Sequence, residues 1–119
     1  MNQEVLIFPA LQGNFIDEEV RRYATKQNWK IIDGYNFGGY AKVSRELVDF
    51  INDFYVKTRI PLDPVYTGKL LFGVMDLIAQ DYFAPGSKIL AIHTGGLQGV
   101  KGMNKILKNK NLPLLEIDV

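Results

Sequence analysis

The chain has 119 residues, 47% of them apolar and 23% charged, with a formal net charge of +1. Those values describe one ordinary folded domain, 1–119, and give no electrostatic case for nucleic acid or an anionic membrane. It has no cysteines, which removes disulfides and thiolate metal sites and fits a reducing, cytoplasmic setting.

No apolar run reaches the roughly 18–20 residues that cross a bilayer. The opening MNQEVLIFPALQG has no basic lead before a long apolar region, so no signal peptide is expected. Val5 to Phe8, closed by Pro9, reads as a short buried strand. Gln12-Gly13-Asn14 reads as a loop with Asn14 as N-cap of a helix that places Ile16, Val20, Tyr23 and Ala24 on one face. Acids at 17–19 followed by Arg21, Arg22 and Lys26 suit that helix's dipole.

Trp29 to Asp33 reads as a second strand. Tyr35-Asn36-Phe37-Gly38-Gly39-Tyr40 follows as a glycine- and aromatic-rich loop. Ser44 is expected to cap a helix with Leu47, Phe50, Ile51 and Phe54 on one face. Pro61 and Pro64 bracket an extended piece, since a residue before proline avoids helical angles. From Gly68 to Tyr82 a strongly apolar helix is expected, buried between the sheet and another layer. Lys88 to His93 reads as a third strand. A helix with Val100, Met103 and Leu107 on one face follows, its lysines solvated, and Leu114 to Val119 is a final strand or tail. Alternating strands and helices predict an α/β fold, a three-layer αβα arrangement with a mostly parallel sheet.

Ligands in such sheets bind beyond the carboxyl ends of the strands, where the loops after Phe8, Asp33 and His93 fall. Thr94-Gly95-Gly96 offers a hydroxyl and unshielded N–H groups; on spacing alone it is a tight strand-to-helix turn. Tyr66 and Tyr40 each join an aromatic face to a phenol tip, suited to stacking on a planar ring or to donating a hydrogen bond. Thr67 reads equally as a helix N-cap. Lys69 reads as a solvent-facing or phosphate-pairing lysine rather than a covalent one. His93, the sole histidine, reads as a packed, hydrogen-bonded core residue, and without cysteines it makes no zinc site. GxSxG, a phosphate loop with its lysine, and GxGxxG after a strand are all missing from the sequence.

LDPVYTGKLLFGVMDLI, followed by KILAIHTGG, resembles the C-terminal region of the 1-aminocyclopropane-1-carboxylate deaminase / D-cysteine desulfhydrase family. The resemblance runs from VLIFPALQGNF to HTGG, with a GGY loop 26 residues before Tyr66. It implies the large domain of a pyridoxal-phosphate enzyme of fold type II, the tryptophan-synthase-β-like class. It further implies that Tyr66 lies against the cofactor ring, that Tyr40 approaches the substrate side, and that Thr67 borders the ring. Thr94, with Gly95 alongside, would offer its hydroxyl to the pyridine nitrogen. A hydroxyl moderates the electron sink where a carboxylate would keep that nitrogen protonated.

In the ring-opening deaminases a glutamate follows the tyrosine of the VY motif and a leucine precedes the GG pair. Here Thr67 and Thr94 stand at those positions, as in the desulfhydrase branch. The resemblance therefore implies α,β-elimination from a D-amino acid such as D-cysteine, with ring opening to 2-oxobutanoate and ammonia as the alternative. The family's Schiff-base lysine segment and glycine-rich phosphate loop have no counterpart in this sequence. The expectation is a C-terminal fragment, inactive alone, whose partners are the missing N-terminal portion and, when complete, a second copy. A non-catalytic ligand- or partner-binding module and a structural remnant are the remaining readings.

Overall fold

A computed structural model describes residues 3–10 and 15–118. The expected loop at Gln12-Gly13-Asn14 and the Asn14 cap lie outside the described residues. Strand β1 (Val5–Ile7) and strand β2 (Trp29–Ile31) pair in parallel, with Val5 opposite Trp29 and Ile7 opposite Ile31. Bonds from Val5 N to the Asn28 carbonyl and from Ile32 N to the Ile7 carbonyl, both 2.8 Å, extend the ladder at its two ends. Helix α1 (Phe15–Tyr23) links the strands, and its Arg21 guanidinium sits 5.6 Å over the Trp29 ring. The parallel pair and its connecting helix are the βαβ unit that the alternation predicts.

Helix α2 (Arg45–Thr58) starts as expected, with Ser44 Oγ accepting from Leu47 N at 3.3 Å. Helix α3 (Thr67–Ala79) packs beside it, and a 3-10 turn at Leu97–Gly99 leads into helix α4 (Val100–Asn109). The core lies between α2 and α4: Leu47, Val48 and Ile51 meet Val100, Met103 and Leu107, with Leu62, Leu115 and Ile117 filling in. The predicted α4 face is the buried one, and Lys101, Lys105, Lys108 and Lys110 are exposed.

Aromatic side chains join the sheet to α3. Phe8 and Tyr35 pack with ring centroids 6.0 Å apart, Tyr35 continues to Phe72, and Phe72 meets Phe37 edge-on at 4.9 Å. Gly73 permits this approach, because a Cβ there would come within 2.6 Å of the Phe8 ring. The Tyr35 phenol donates to Asp76 Oδ2 at 2.6 Å, which holds its pKa above the ordinary value, with burial adding to the effect.

Two expectations are corrected, and of the strand or tail expected from Leu114 the tail is what forms. Lys88–His93 forms no strand: it runs along the surface, with Leu90 87% and Ile92 65% exposed. Its residues have the apolar pattern, but a strand exists only when its backbone finds a neighbouring ladder, and the described sheet has two members, β1 and β2. The apolar surface of α3 is covered on one side alone, where Gly73, Val74 and Leu77 are buried, while Met75 and Ile78 remain exposed. Leu114–Asp118 is an extended tail whose backbone pairs with side chains. Asn104 Oδ1 accepts from Leu115 N at 2.7 Å while its amide donates to the Leu115 carbonyl, and Asn52 clasps Glu116 N and the Leu114 carbonyl the same way. Two asparagines thus stand in for a partner strand, and Leu115 and Ile117 alternate into the core.

Candidate functional site

Asp63 organises the loop that leads into α3. It is 1% exposed, yet every part of its carboxylate is used: Oδ2 accepts from Val65 N and Tyr66 N, and Oδ1 from Thr67 N, all at 2.8 Å. The Thr67 hydroxyl donates to Oδ1 at 2.6 Å and in turn accepts from Asp63 N at 2.8 Å. A buried carboxylate is tolerable when its lone pairs are filled in this way. The arrangement also satisfies N–H groups that the first turn of a helix leaves orphaned, and it places negative charge at the positive end of the dipole. Asp63 therefore caps α3 from four residues upstream. Neither Thr67, which is the first helical residue, nor Tyr66 supplies the cap.

With its backbone N–H held by Asp63, Tyr66 projects its ring outward and is 49% exposed. The Tyr40 ring meets it edge-on, centroids 6.1 Å apart and planes at 63°. Hydrogen bonding with Tyr40 holds the Tyr66 phenol above its ordinary pKa, with lesser contributions from desolvation and the nearby Asp63 charge. Tyr40 reaches this position through a tight loop in which Phe37, Gly38, Gly39 and Ala41 all have positive φ.

Thr94 and Gly95 are brought to the same loop by two contacts. One His93 ring nitrogen, Nε2, lies 2.8 Å from the Pro61 carbonyl; the other, Nδ1, accepts from Gly95 N at 3.0 Å. That pairing defines the neutral tautomer with its proton on Nε2, donating to Pro61. Gly95 and Gly96 both have positive φ, and Gly96 lies against the Asp63 carboxyl, where a Cβ would stand 3.1 Å from Cγ. Thr94 itself is exposed, and among the described residues its hydroxyl has no hydrogen-bond partner.

Four of the five predicted site residues thus lie on loops: Tyr40 and Tyr66 as a ring pair, Thr94 and Gly95 on the turn whose Gly96 packs against the Asp63 carboxyl. The Thr67 side chain is buried and committed to Asp63 rather than presented outward. His93 is hydrogen-bonded, as expected, but exposed rather than packed in a core strand. Lys69 is not solvent-facing: it is 2% exposed, and its ammonium donates to the Gly39 carbonyl at 2.9 Å. Burial lowers its pKa below the ordinary lysine value, and Asp63 offsets part of that shift. Asp63 is the organising residue that the motif reading passed over; an Asp before Pro and four residues ahead of a helix-starting Thr is the signal that marks it.

The paired phenols offer aromatic faces and O–H donors toward solvent, and Thr94 adds a free hydroxyl. This set fits the face and ring nitrogen of a planar heteroaromatic group. Among the described residues no three metal-ligating side chains gather. A second, apolar groove lies along α1, lined by Ile16, Glu19, Val20, Tyr23 and Ala24.

Comparison with known proteins decides the relationship. The chain is 46% identical over 65 residues to a Pyrococcus furiosus protein named "Putative 1-aminocyclopropane-1-carboxylate deaminase", covering 55% of this chain and 19% of that protein. It is 33% identical over 79 residues to a 1-aminocyclopropane-1-carboxylate deaminase of a Bradyrhizobium species, covering 66% and 23%. A mitochondrial bifunctional D-cysteine desulfhydrase/1-aminocyclopropane-1-carboxylate deaminase of Arabidopsis thaliana matches at 43% over 63 residues, 52% and 16%. The chain is homologous to part of these deaminases and desulfhydrases. It spans about a fifth of the length of the deaminases and desulfhydrases that it matches. No family model matches the chain. The α/β class is shared with the expectation from sequence, and among the described residues no helix is long and apolar enough to cross a membrane.

Proposed function

We propose that this chain forms one wall of the active site of a fold type II, pyridoxal-phosphate-dependent enzyme. The reaction is α,β-elimination from a D-amino acid such as D-cysteine, which with water yields sulfide, ammonia and pyruvate. The observation that carries the reading is that the buried Asp63 holds the Tyr66 backbone, Tyr66 pairs with the Tyr40 ring, and Gly96, next to Thr94 and Gly95, packs against the same carboxyl. The homology supports the family, and Thr94 ahead of the glycine pair supports the desulfhydrase branch.

Pyridoxal phosphate, when bound, supplies the electron sink that lets an α-proton and a β-substituent depart. Tyr66 is the residue whose ring would border it, and its phenol, a donor at neutral pH as any tyrosine is, has its pKa raised further through Tyr40. Tyr40 stands on the substrate side and shares that proton network. Thr94 would offer its hydroxyl to the ring nitrogen, with Gly95 alongside. Thr67 serves the site through Asp63, by fixing the start of α3 that carries Tyr66.

The lysine-bearing segment and the phosphate cradle are proposed to come from the rest of such an enzyme, so the 119 residues alone are inactive. The complete protein is proposed to be a cytoplasmic homodimer. The bare apolar run at Ile89–Ile92 supports a covering surface of this kind. Ring opening of 1-aminocyclopropane-1-carboxylate to 2-oxobutanoate and ammonia is the second reading, favoured by the names that the relatives carry.

A chimera separates them: this chain replaces the matching segment of the Pyrococcus furiosus relative, and each substrate is offered in turn. Pyruvate from D-cysteine in excess of 2-oxobutanoate from the cyclopropane is the expected result, and Tyr66→Phe should lower turnover about tenfold or more. The reverse preference overturns the branch. Unchanged kinetics in Tyr66→Phe removes the phenol from the chemistry.

A further inference from the structure

Lysine ammonium groups are rarely withdrawn from water, because desolvating the charge is costly unless something specific repays it. Lys69 is 2% exposed, and the partner of its Nζ is the Gly39 carbonyl, thirty residues earlier in the chain. That carbonyl also accepts from Lys42 N at 3.1 Å, while Gly39 N donates to the Asn36 carbonyl and Gly38 N to Asn36 Oδ1. The loop from Asn36 to Lys42 is therefore closed on itself, and a run of positive φ angles leaves it one narrow set of conformations. Within that loop, the bond from Lys69 is the polar tie to α3.

The geometry gives this tie a consequence. Gly39 and Tyr40 are adjacent, and Tyr66, the residue before α3, stands three residues from Lys69 in its first turn. The Lys69–Gly39 bond and the Tyr40–Tyr66 ring contact are two parallel links between the same two segments. One is a charged hydrogen bond shielded from water, which is short and directional; the other is a half-exposed ring pair that could slide. We propose that Lys69 is a positioning residue of the tyrosine pair, its bond to Gly39 fixing the height and angle at which Tyr40 meets Tyr66. Its importance for turnover rests on the function proposed above; its control of the two rings does not.

The test uses the 119-residue chain with tyrosines labelled at Cζ, compared with Lys69→Met, which keeps an unbranched stem one atom shorter and removes the donor. Ring-to-ring NMR contacts and phenol titrations are read together. Tyr35, held by Asp76 on another face, is the internal control. In folded Lys69→Met the Tyr40–Tyr66 contacts should vanish and Tyr66 should titrate nearer an ordinary tyrosine, about 10, with Tyr35 unmoved. Intact ring contacts and an unchanged Tyr66 titration would overturn the proposal, as would equal movement of Tyr35, which signals general loosening.

Should Lys69→Met not fold, the unmodified chain is titrated instead: the Gly39 carbonyl and Tyr40 ring resonances must both follow deprotonation at Lys69 Nζ. A Tyr40 ring that ignores it overturns the proposal equally. In the chimera, Lys69→Met should lower kcat at least tenfold while KM changes less than threefold. No cofactor is needed for the ring readouts, so a failure of the proposed chemistry and a failure of this inference are told apart.

Discussion

Asp63 accepts three backbone N–H groups and a hydroxyl from within 1% exposure, so its removal leaves several buried donors without partners. Asp63→Ala is expected to cost about 3 kcal/mol, since hydrogen bonds to a charged group contribute roughly 1.5–3 kcal/mol and a helix cap roughly 1. Denaturant unfolding measures it, and a loss below about 1 kcal/mol would show that the loop re-forms around water. Asp63→Asn should lie between, because its amide oxygen can still serve one set of donors.

Lys69 carries a pH signature of its own. Its folded pKa lies below the ordinary 10.5, mainly through burial. Between those two values the unfolded chain binds more protons than the folded one, so the desolvation penalty is relieved as pH rises; below the folded value it is constant. The stability of the unmodified protein relative to Lys69→Met should therefore increase as pH rises from the lowered folded value toward the ordinary 10.5. A flat or falling difference contradicts the burial of a charged Lys69. Sequence reading placed Tyr40, Tyr66 and Thr94 outside the regular elements, where the structure has them exposed, because glycine and proline mark those turns locally. It did not reveal Lys69 or Asp63, because burial of a charge depends on a partner remote in sequence or on a loop closing over it.

At the scale of elements, local signals were legible where one segment suffices. Ser44 caps α2 from three residues away, and the spacing of Val100, Met103 and Leu107 marks the buried face of α4 without reference to anything else. Strands were less so. β1 and β2 appear because each supplies the other's ladder, whereas Lys88–His93 has the same apolar pattern and no ladder partner among the described residues. The tail shows the same dependence resolved another way, with Asn52 and Asn104 clasping its peptide groups. Asn104→Ala should expose two tail groups, cost roughly 1–3 kcal/mol, and speed amide exchange at Leu115 ahead of the α2 amides. Exchange that stays slow at Leu115 would mean that burial of Leu115 and Ile117 holds the tail unaided.

Over the whole molecule, two kinds of surface are held apart. The α2–α4 core is closed and buried, while Tyr40, Tyr66, Thr94 and the Ile89–Ile92 run are exposed. The aromatic chain from Phe8 through Tyr35 and Phe72 to Phe37 connects the sheet edge to the loop of Tyr40, so that loop rests on rigid support. Exposed, pre-arranged groups of this kind are what one wall of a larger active site requires. The chain's match to about a fifth of much longer deaminases and desulfhydrases accords with it. The most direct test adds pyridoxal phosphate and D-cysteine to the 119-residue chain and, in parallel, to the chimera with the Pyrococcus furiosus relative, following cofactor absorbance and pyruvate together. A bound-cofactor spectrum and pyruvate release are expected from the chimera, and neither from the chain alone. Turnover by the chain alone would make one of its own lysines the cofactor's anchor and contradict the wall described here.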